Sequence, residues 1–191
     1  MSLCMDLLRH GETEQGGGLR GSIDDALTTR GWGQMRDAVL AKGPWDRIVT
    51  SPLQRCARYA EALQQALELP LAYEPELREL HFGEWEGRSA AQLMETHERE
   101  LGLFWSDPYG FTPPAGEPVA SFRERVLGAV EQLYRDYAGQ RLLLITHGGV
   151  MRLLLAQARG LPQASLLQVE VRHGALVTLQ VESDGSLREP G

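Results

Sequence analysis

Two histidines and two arginines stand where buried apolar segments give way to polar loops. Leu3 to Leu8 runs into Arg9-His10-Gly11-Glu12-Thr13, Arg47 to Thr50 into Ser51-Pro52 with Arg55 just beyond, and Leu142 to Ile145 into Thr146-His147-Gly148. Guanidinium groups present a planar fork that matches phosphate oxygens. Arg55, near the start of an expected helix, is joined there by free N–H groups that favour an anion. Two guanidiniums and one imidazolium can neutralise the nonbridging oxygens of a phosphoryl group while a neutral imidazole attacks phosphorus in line. The product is a phosphohistidine that water hydrolyses. The arginines supply the charge that a magnesium ion would otherwise bring, so no metal and no other cofactor is expected. His10, Glu12 and His147 also make a conceivable ligand set for a metal-dependent hydrolase, although nearby guanidiniums would repel a divalent cation. A phosphate-binding module without catalysis is the third reading.

These residues need a scaffold that brings strand ends together. Leu3 to Leu8, Arg47 to Thr50, Leu71 to Tyr73 and Leu142 to Thr146 read as strands, and Leu167 to Arg172 and Ala175 to Val181 as two late ones joined antiparallel by a turn at His173-Gly174. Helices are expected from about Arg30 to Lys42, from Pro52 to Leu69 with Ser51 as N-cap, in one or two pieces from Ser89 to Trp105, from Val119 onward, and after Gly148 to about Arg159. Strands alternating with helices imply an α/β fold with a mostly parallel sheet covered on both faces. Ligands in such folds bind beyond the carboxyl ends of the strands. The irregular segment Glu74 to Arg88, dense in charge and aromatics, is a candidate functional loop.

The motifs together resemble the histidine phosphatase superfamily, the phosphoglycerate mutase-like proteins. Leu8-Arg9-His10-Gly11-Glu12-Thr13 looks like its first signature and Ser51-Pro52-Leu53-Gln54-Arg55 like its second arginine motif. Leu77-Arg78-Glu79 with Gly83-Glu84-Trp85-Glu86-Gly87 resembles its acid-bearing loop, and Thr146-His147-Gly148 its second histidine motif, all in family order. The resemblance implies a three-layer α/β/α sandwich, with about six strands of which one at the edge is antiparallel. It implies His10 as the phosphorylated nucleophile, Arg9, Arg55 and His147 as the phosphate pocket, and Gly11, Thr13 and Gly148 as supporting residues. It also implies Glu79 as the proton donor, ahead of Glu12, Glu84 and Glu86; an alkoxide leaves poorly unless protonated. Gly16 and Gly149 stand where mutases carry asparagine, and Arg88 to Pro118 lacks an adjacent arginine pair, so mutase activity is not expected. The segment Gly18 to Thr28 looks like that of the α-ribazole phosphatases. A broad-specificity phosphatase acting on sugar phosphates or phosphoglycerate is the alternative.

Composition sets the outer bounds. The chain has 191 residues, 42% hydrophobic and 24% charged, enough for one domain over 1–191 with its own core. A net charge of −7 argues against nucleic acid and anionic lipid as partners and leaves a small phosphorylated metabolite; the oligomeric state stays open. Lys42 is the only lysine among 19 basic residues, and most of the arginines read as compositional. Cys4 and Cys56 are too few for a disulfide framework and read as buried thiols. With no secretory signal at Met1 to Asp6 and no membrane-length apolar run, a cytoplasmic location is expected. His81, His97 and His173 read as ordinary loop residues, with His81 near enough to the acid loop to reach substrate. Trp85 reads as a packing anchor and Gly16 to Gly18 as a flexible lid.

Overall fold

The computed structural model describes residues 1–190. Its central strand β4 (Arg141–Thr146) is buried on both faces, which is why its sequence is an unbroken apolar run rather than an alternating one. Leu143 and Ile145 pack with Ile48, Met35, Cys56, Tyr59 and Ala60, against helices α1 (Thr29–Val39) and α2 (Gln54–Leu67). Leu142 and Leu144 face the other way, into a larger cluster with Phe122, Val126 and Val130 of α4 (Val119–Tyr137) and Val150, Met151 and Leu154 of α5 (Gly148–Ala158). The result is the expected three-layer α/β/α sandwich.

The sheet is completed by β1 (Leu3–Arg9), β2 (Arg47–Thr50), β3 (Leu71–Tyr73), β5 (Leu176–Val181) and β6 (Leu187–Arg188), in the order β3-β2-β4-β1-β5-β6. β1 and β2 flank β4 in parallel, with Arg9 opposite Thr146 and Thr50 opposite Ile145. Three strand ends that carry the motifs therefore lie side by side. Asp6 interrupts the apolar run of β1 at full burial, and its carboxylate accepts from Trp45 Nε1 at 2.7 Å, Thr178 Oγ1 at 2.6 Å and Arg141 Nε at 2.9 Å.

Several expectations are corrected. The antiparallel strand is β5, which pairs with β1 inside the sheet, and the edge belongs to β6. No strand spans Leu167 to Arg172; a 3₁₀ turn covers Gln163–Gln168 instead. Val169 and Val171 are both buried, which mimics strand alternation. Their carbonyls, however, accept from Arg152 Nε at 3.0 Å and Arg9 Nη1 at 2.6 Å rather than from a neighbouring strand. The turn at His173-Gly174 thus joins no hairpin. α2 starts two residues later than expected, with Leu53 as N-cap; the Ser51 hydroxyl contacts His147 at 2.7 Å and accepts from Leu53 N at 3.4 Å. The segment after Ser89 is one helix kinked into two: α3 (Ala90–Ser106) loses helical geometry at His97. Cys56 is buried as expected, whereas Cys4 is partly exposed. Among the described residues no helix is long and apolar enough to cross a membrane.

Candidate active site

The parallel register of β1, β4 and β2 delivers His10, His147 and Ser51 to one rim. His10 N donates to Thr146 O at 3.0 Å, Ser51 N donates to Ile145 O at 3.0 Å, and the His10 and His147 rings meet edge to face at 5.3 Å between centroids. His10 Nδ1 lies 2.8 Å from the Gly11 carbonyl. A carbonyl only accepts, so Nδ1 carries the proton and Nε2 holds the lone pair. His147 Nε2 contacts Ser51 Oγ at 2.7 Å, and its ring lies 3.8 to 3.9 Å from Cys56 Sγ. Burial pushes the Cys56 thiol up to about 12, so it stays protonated.

Both imidazoles are held well below their ordinary pKa. For His10 the causes are burial, then Arg55 and Arg9; for His147 they are burial, then Arg55, His10 and Arg9. His10 is therefore neutral, as a nucleophile must be. His147 is neutral as well in this structure, where the sequence led us to expect an imidazolium.

Arg55 is fully buried. Its Nη1 donates to Ile23 O at 2.5 Å and its Nη2 to Gly21 O at 2.9 Å and Arg20 O at 3.2 Å. Arg9 is fixed through Nη1 on Val171 O, and burial lowers its pKa. In both side chains Nε is buried without an acceptor in the protein. Each guanidinium is thus anchored at one end and keeps a donor for an anion.

Glu79, half-buried, is brought to the same rim by α5. Its Oε2 accepts from Gly149 N at 2.8 Å and its Oε1 from Leu80 N at 2.9 Å. The three rivals are placed elsewhere. Glu12 is engaged by Thr28 Oγ1 at 3.1 Å and Arg30 at 3.5 Å, and Glu84 is exposed. Glu86 accepts from the amides of Gly21, Ser22 and Phe82 at 2.9 to 3.1 Å. Burial raises the Glu86 pKa, but these amides and that of Ile23 outweigh it and hold the carboxyl below its ordinary range. Glu86 ties the loop whose carbonyls hold Arg55 to the loop that carries Glu79.

The supporting residues act through backbone and space. A Cβ on Gly11 would meet the backbone of Gly31, one on Gly148 would stand 3.0 Å from Arg9 Nε, and buried Thr13 pairs with Leu27 in an isolated bridge. Trp85 is fully buried against Phe104 and Phe111, a packing anchor. A cavity of about 320 Å³ beside Glu79 is lined by Gly21, Ser22, Leu53, Arg78, His81 and Arg125. His173, read from sequence as an ordinary loop residue, lies with its ring 5.6 Å from that of His10, and burial with Arg9 lowers its pKa to about 4. No local spacing marks it, since the contact arises only when Ala175 O accepts from Arg9 N. Among the described residues no three His, Cys, Asp or Glu side chains cluster as metal ligands, and the Glu12 carboxylate pairs with Thr28 and Arg30.

The chain is similar to known proteins over most of its length. A family model described as the histidine phosphatase superfamily (branch 1) matches residues 5–188. The adenosylcobalamin/alpha-ribazole phosphatase of Salmonella typhimurium is 31% identical over 179 residues, covering 92% of this chain and 89% of that protein. The glucosyl-3-phosphoglycerate phosphatase of Mycolicibacterium vanbaalenii is 32% identical over 167 residues, covering 82% of this chain and 74% of that protein. Among solved structures, the alpha-ribazole phosphatase from Shigella flexneri superposes with a TM-score of 0.83 at 28% identity, covering 100% of this chain and 95% of that chain.

Proposed function

The chain belongs to the histidine phosphatase superfamily and is a phosphoric monoester hydrolase, and we propose that it works through a phosphohistidine on His10 with α-ribazole 5′-phosphate as substrate. The observation that carries the mechanism is the neutral His10, its proton parked on Nδ1 by the Gly11 carbonyl, beside two guanidiniums that each keep a buried donor. Nε2 attacks phosphorus, the bond from phosphorus to the ester oxygen breaks, and Glu79 protonates the departing oxygen. A water then attacks the phosphohistidine, the Glu79 carboxylate takes its proton, and orthophosphate leaves as the P–N bond breaks. Arg9, Arg55 and His147 hold the nonbridging oxygens; each charge-assisted hydrogen bond contributes roughly 1.5–3 kcal/mol. An arriving dianion adds a charge that favours the imidazolium on His147, against the burial and the arginines that disfavour it in the free enzyme.

The α-ribazole reading is supported by the names of the Salmonella and Shigella relatives, and a cavity of about 320 Å³ beside Glu79 accommodates a leaving group. The mycobacterial relative makes glucosyl-3-phosphoglycerate the competing substrate. The test compares kcat/KM for α-ribazole 5′-phosphate, glucosyl-3-phosphoglycerate, 3-phosphoglycerate and sugar phosphates. α-Ribazole 5′-phosphate is expected to lead; a lead by another ester overturns the substrate and leaves the mechanism standing. His10→Ala is expected to abolish turnover and acid-labile labelling by a phosphorylated substrate, and a label that persists overturns the nucleophile.

A further inference from the structure

The stretch leading to Glu79 has only a 3₁₀ turn at Pro75–Leu77, yet the four carbonyls from Glu76 to Glu79 all accept from side chains. Thr146 Oγ1 donates to Leu77 O at 2.9 Å. The other three partners come from one side chain on α4. Arg125 Nη1 donates to Glu76 O at 2.6 Å and Arg78 O at 2.8 Å, and Nη2 donates to Glu79 O at 3.0 Å. Its remaining N–H groups meet the Glu117 carboxylate, Nε to Oε1 at 2.7 Å and Nη2 to Oε2 at 3.0 Å. A guanidinium has five N–H donors, and all five are used.

Glu117 grips the far side of the same loop. Its amide donates to His81 O at 2.8 Å, and Oε2 accepts from His81 N at 3.3 Å. The Arg125 and Glu117 side chains are only 16% and 18% exposed, so water does little to loosen the pair. Arg125 lines the cavity beside Glu79 but has no donor left for a substrate.

We propose that Arg125, braced by Glu117, is a positioning residue for Glu79, setting where the carboxyl stands by fixing the backbone on either side of it. This rests on the reading of Glu79 as proton donor. Lysine cannot replace Arg125, because an ammonium is a point charge with three donors and no fork.

The test uses Arg125→Lys and Glu79→Gln, each assayed for kcat/KM on p-nitrophenyl phosphate, whose leaving group hardly needs a proton, and on an alkyl phosphate, whose leaving group does. Glu79→Gln is expected to lose about 10²-fold or more on the alkyl ester and far less on the nitrophenyl ester. Arg125→Lys is expected to reproduce that selectivity at about tenfold. A structural role alone would lower both esters equally. Equal losses in Arg125→Lys with selectivity retained in Glu79→Gln overturn the positioning role and leave Glu79 in place. Absence of selectivity in Glu79→Gln overturns both. If Arg125→Lys does not fold, Glu117→Gln carries the same expectation and the same refutation, since it weakens the brace while preserving shape.

Discussion

Gly149→Ala separates the chemistry of the site from its stability. Gly149 is the second residue of α5, its φ lies outside the left-handed region, and its amide donates to Glu79 Oε2 at 2.8 Å. An added Cβ would stand 3.0 Å from Glu79 Cδ and 3.3 Å from Oε2, and closer still to Oε1, where ordinary contact begins at 3.4 Å. The backbone leaves room, so the flexible carboxyl must give way, by on the order of 1 Å. A misplacement of about 1 Å at a reacting group costs roughly 10²-fold, which is about 2.7 kcal/mol in the barrier. The fold loses little, because alanine is a better helix former than glycine by up to about 1 kcal/mol. The expected outcome is a urea midpoint equal to or above that of the parent, with kcat/KM on an alkyl phosphate reduced about 10²-fold and on p-nitrophenyl phosphate reduced by less than about threefold. Equal loss on both esters, or full activity in a folded variant, refutes the placement of Glu79 against α5.

The remaining expectations concern protons and the core. In the free enzyme the ring resonances of His10 and His147 should not titrate between pH 8 and 6, since burial and the arginines hold both below 6.5; an NMR midpoint near 6.5 for His10 would count against the neutral nucleophile. Folded pKa values below the unfolded one mean that unfolding takes up protons, so His10, His147 and His173 leave stability intact above pH 6.5. They erode it as pH falls from about 6.5 toward the folded values, about 4 for His173. Urea midpoints at pH 7 and pH 5 check this, and an unchanged midpoint contradicts it. Asp6→Ala should cost about 3 kcal/mol by urea titration, because it strands the buried Trp45 N–H and Thr178 hydroxyl; a loss below about 1 kcal/mol would show that water reaches them.

What the sequence made legible follows the range of the interactions. Strands β2 and β3 stand at the residues expected, because an apolar run between breakers needs no distant partner to declare itself. The segment Leu167 to Arg172 misled for a physical reason: Val169 and Val171 alternate as in a strand, but arginine side chains take the carbonyls that a strand would have offered to a neighbour. Motif order brought His10, His147, Arg9, Arg55 and Glu79 into view, and the structure gathers them on one rim. Ser51 was legible as a cap and as the start of the second arginine motif, but its contact with His147 depends on the register of β2 against β4. Arg125 and His173 carried no local signal, since the loop carbonyls that Arg125 holds lie 46 or more residues away and His173 meets His10 only in the fold.

Buried arginines carry an acidic chain's affinity for phosphate, through a geometry that lysine lacks. A guanidinium can be anchored and still donate: Arg9 fixes Nη1 and Arg55 both Nη groups on loop carbonyls, and each keeps Nε without an acceptor in the protein, whereas an ammonium is a point charge without a fixed fork. The same fork lets Arg125 hold three carbonyls and a carboxylate at once. By contrast, Arg58, Arg135 and Arg188 form exposed ion pairs that contribute at most about 1 kcal/mol each, and the Arg172–Glu170 pair is more exposed still, so composition suffices to explain them. The net charge of −7 does not oppose phosphate binding, because exposed charges are screened by salt within about 8 Å. The buried guanidiniums lie in a medium of lower dielectric, and their field is what an approaching phosphate meets at close range.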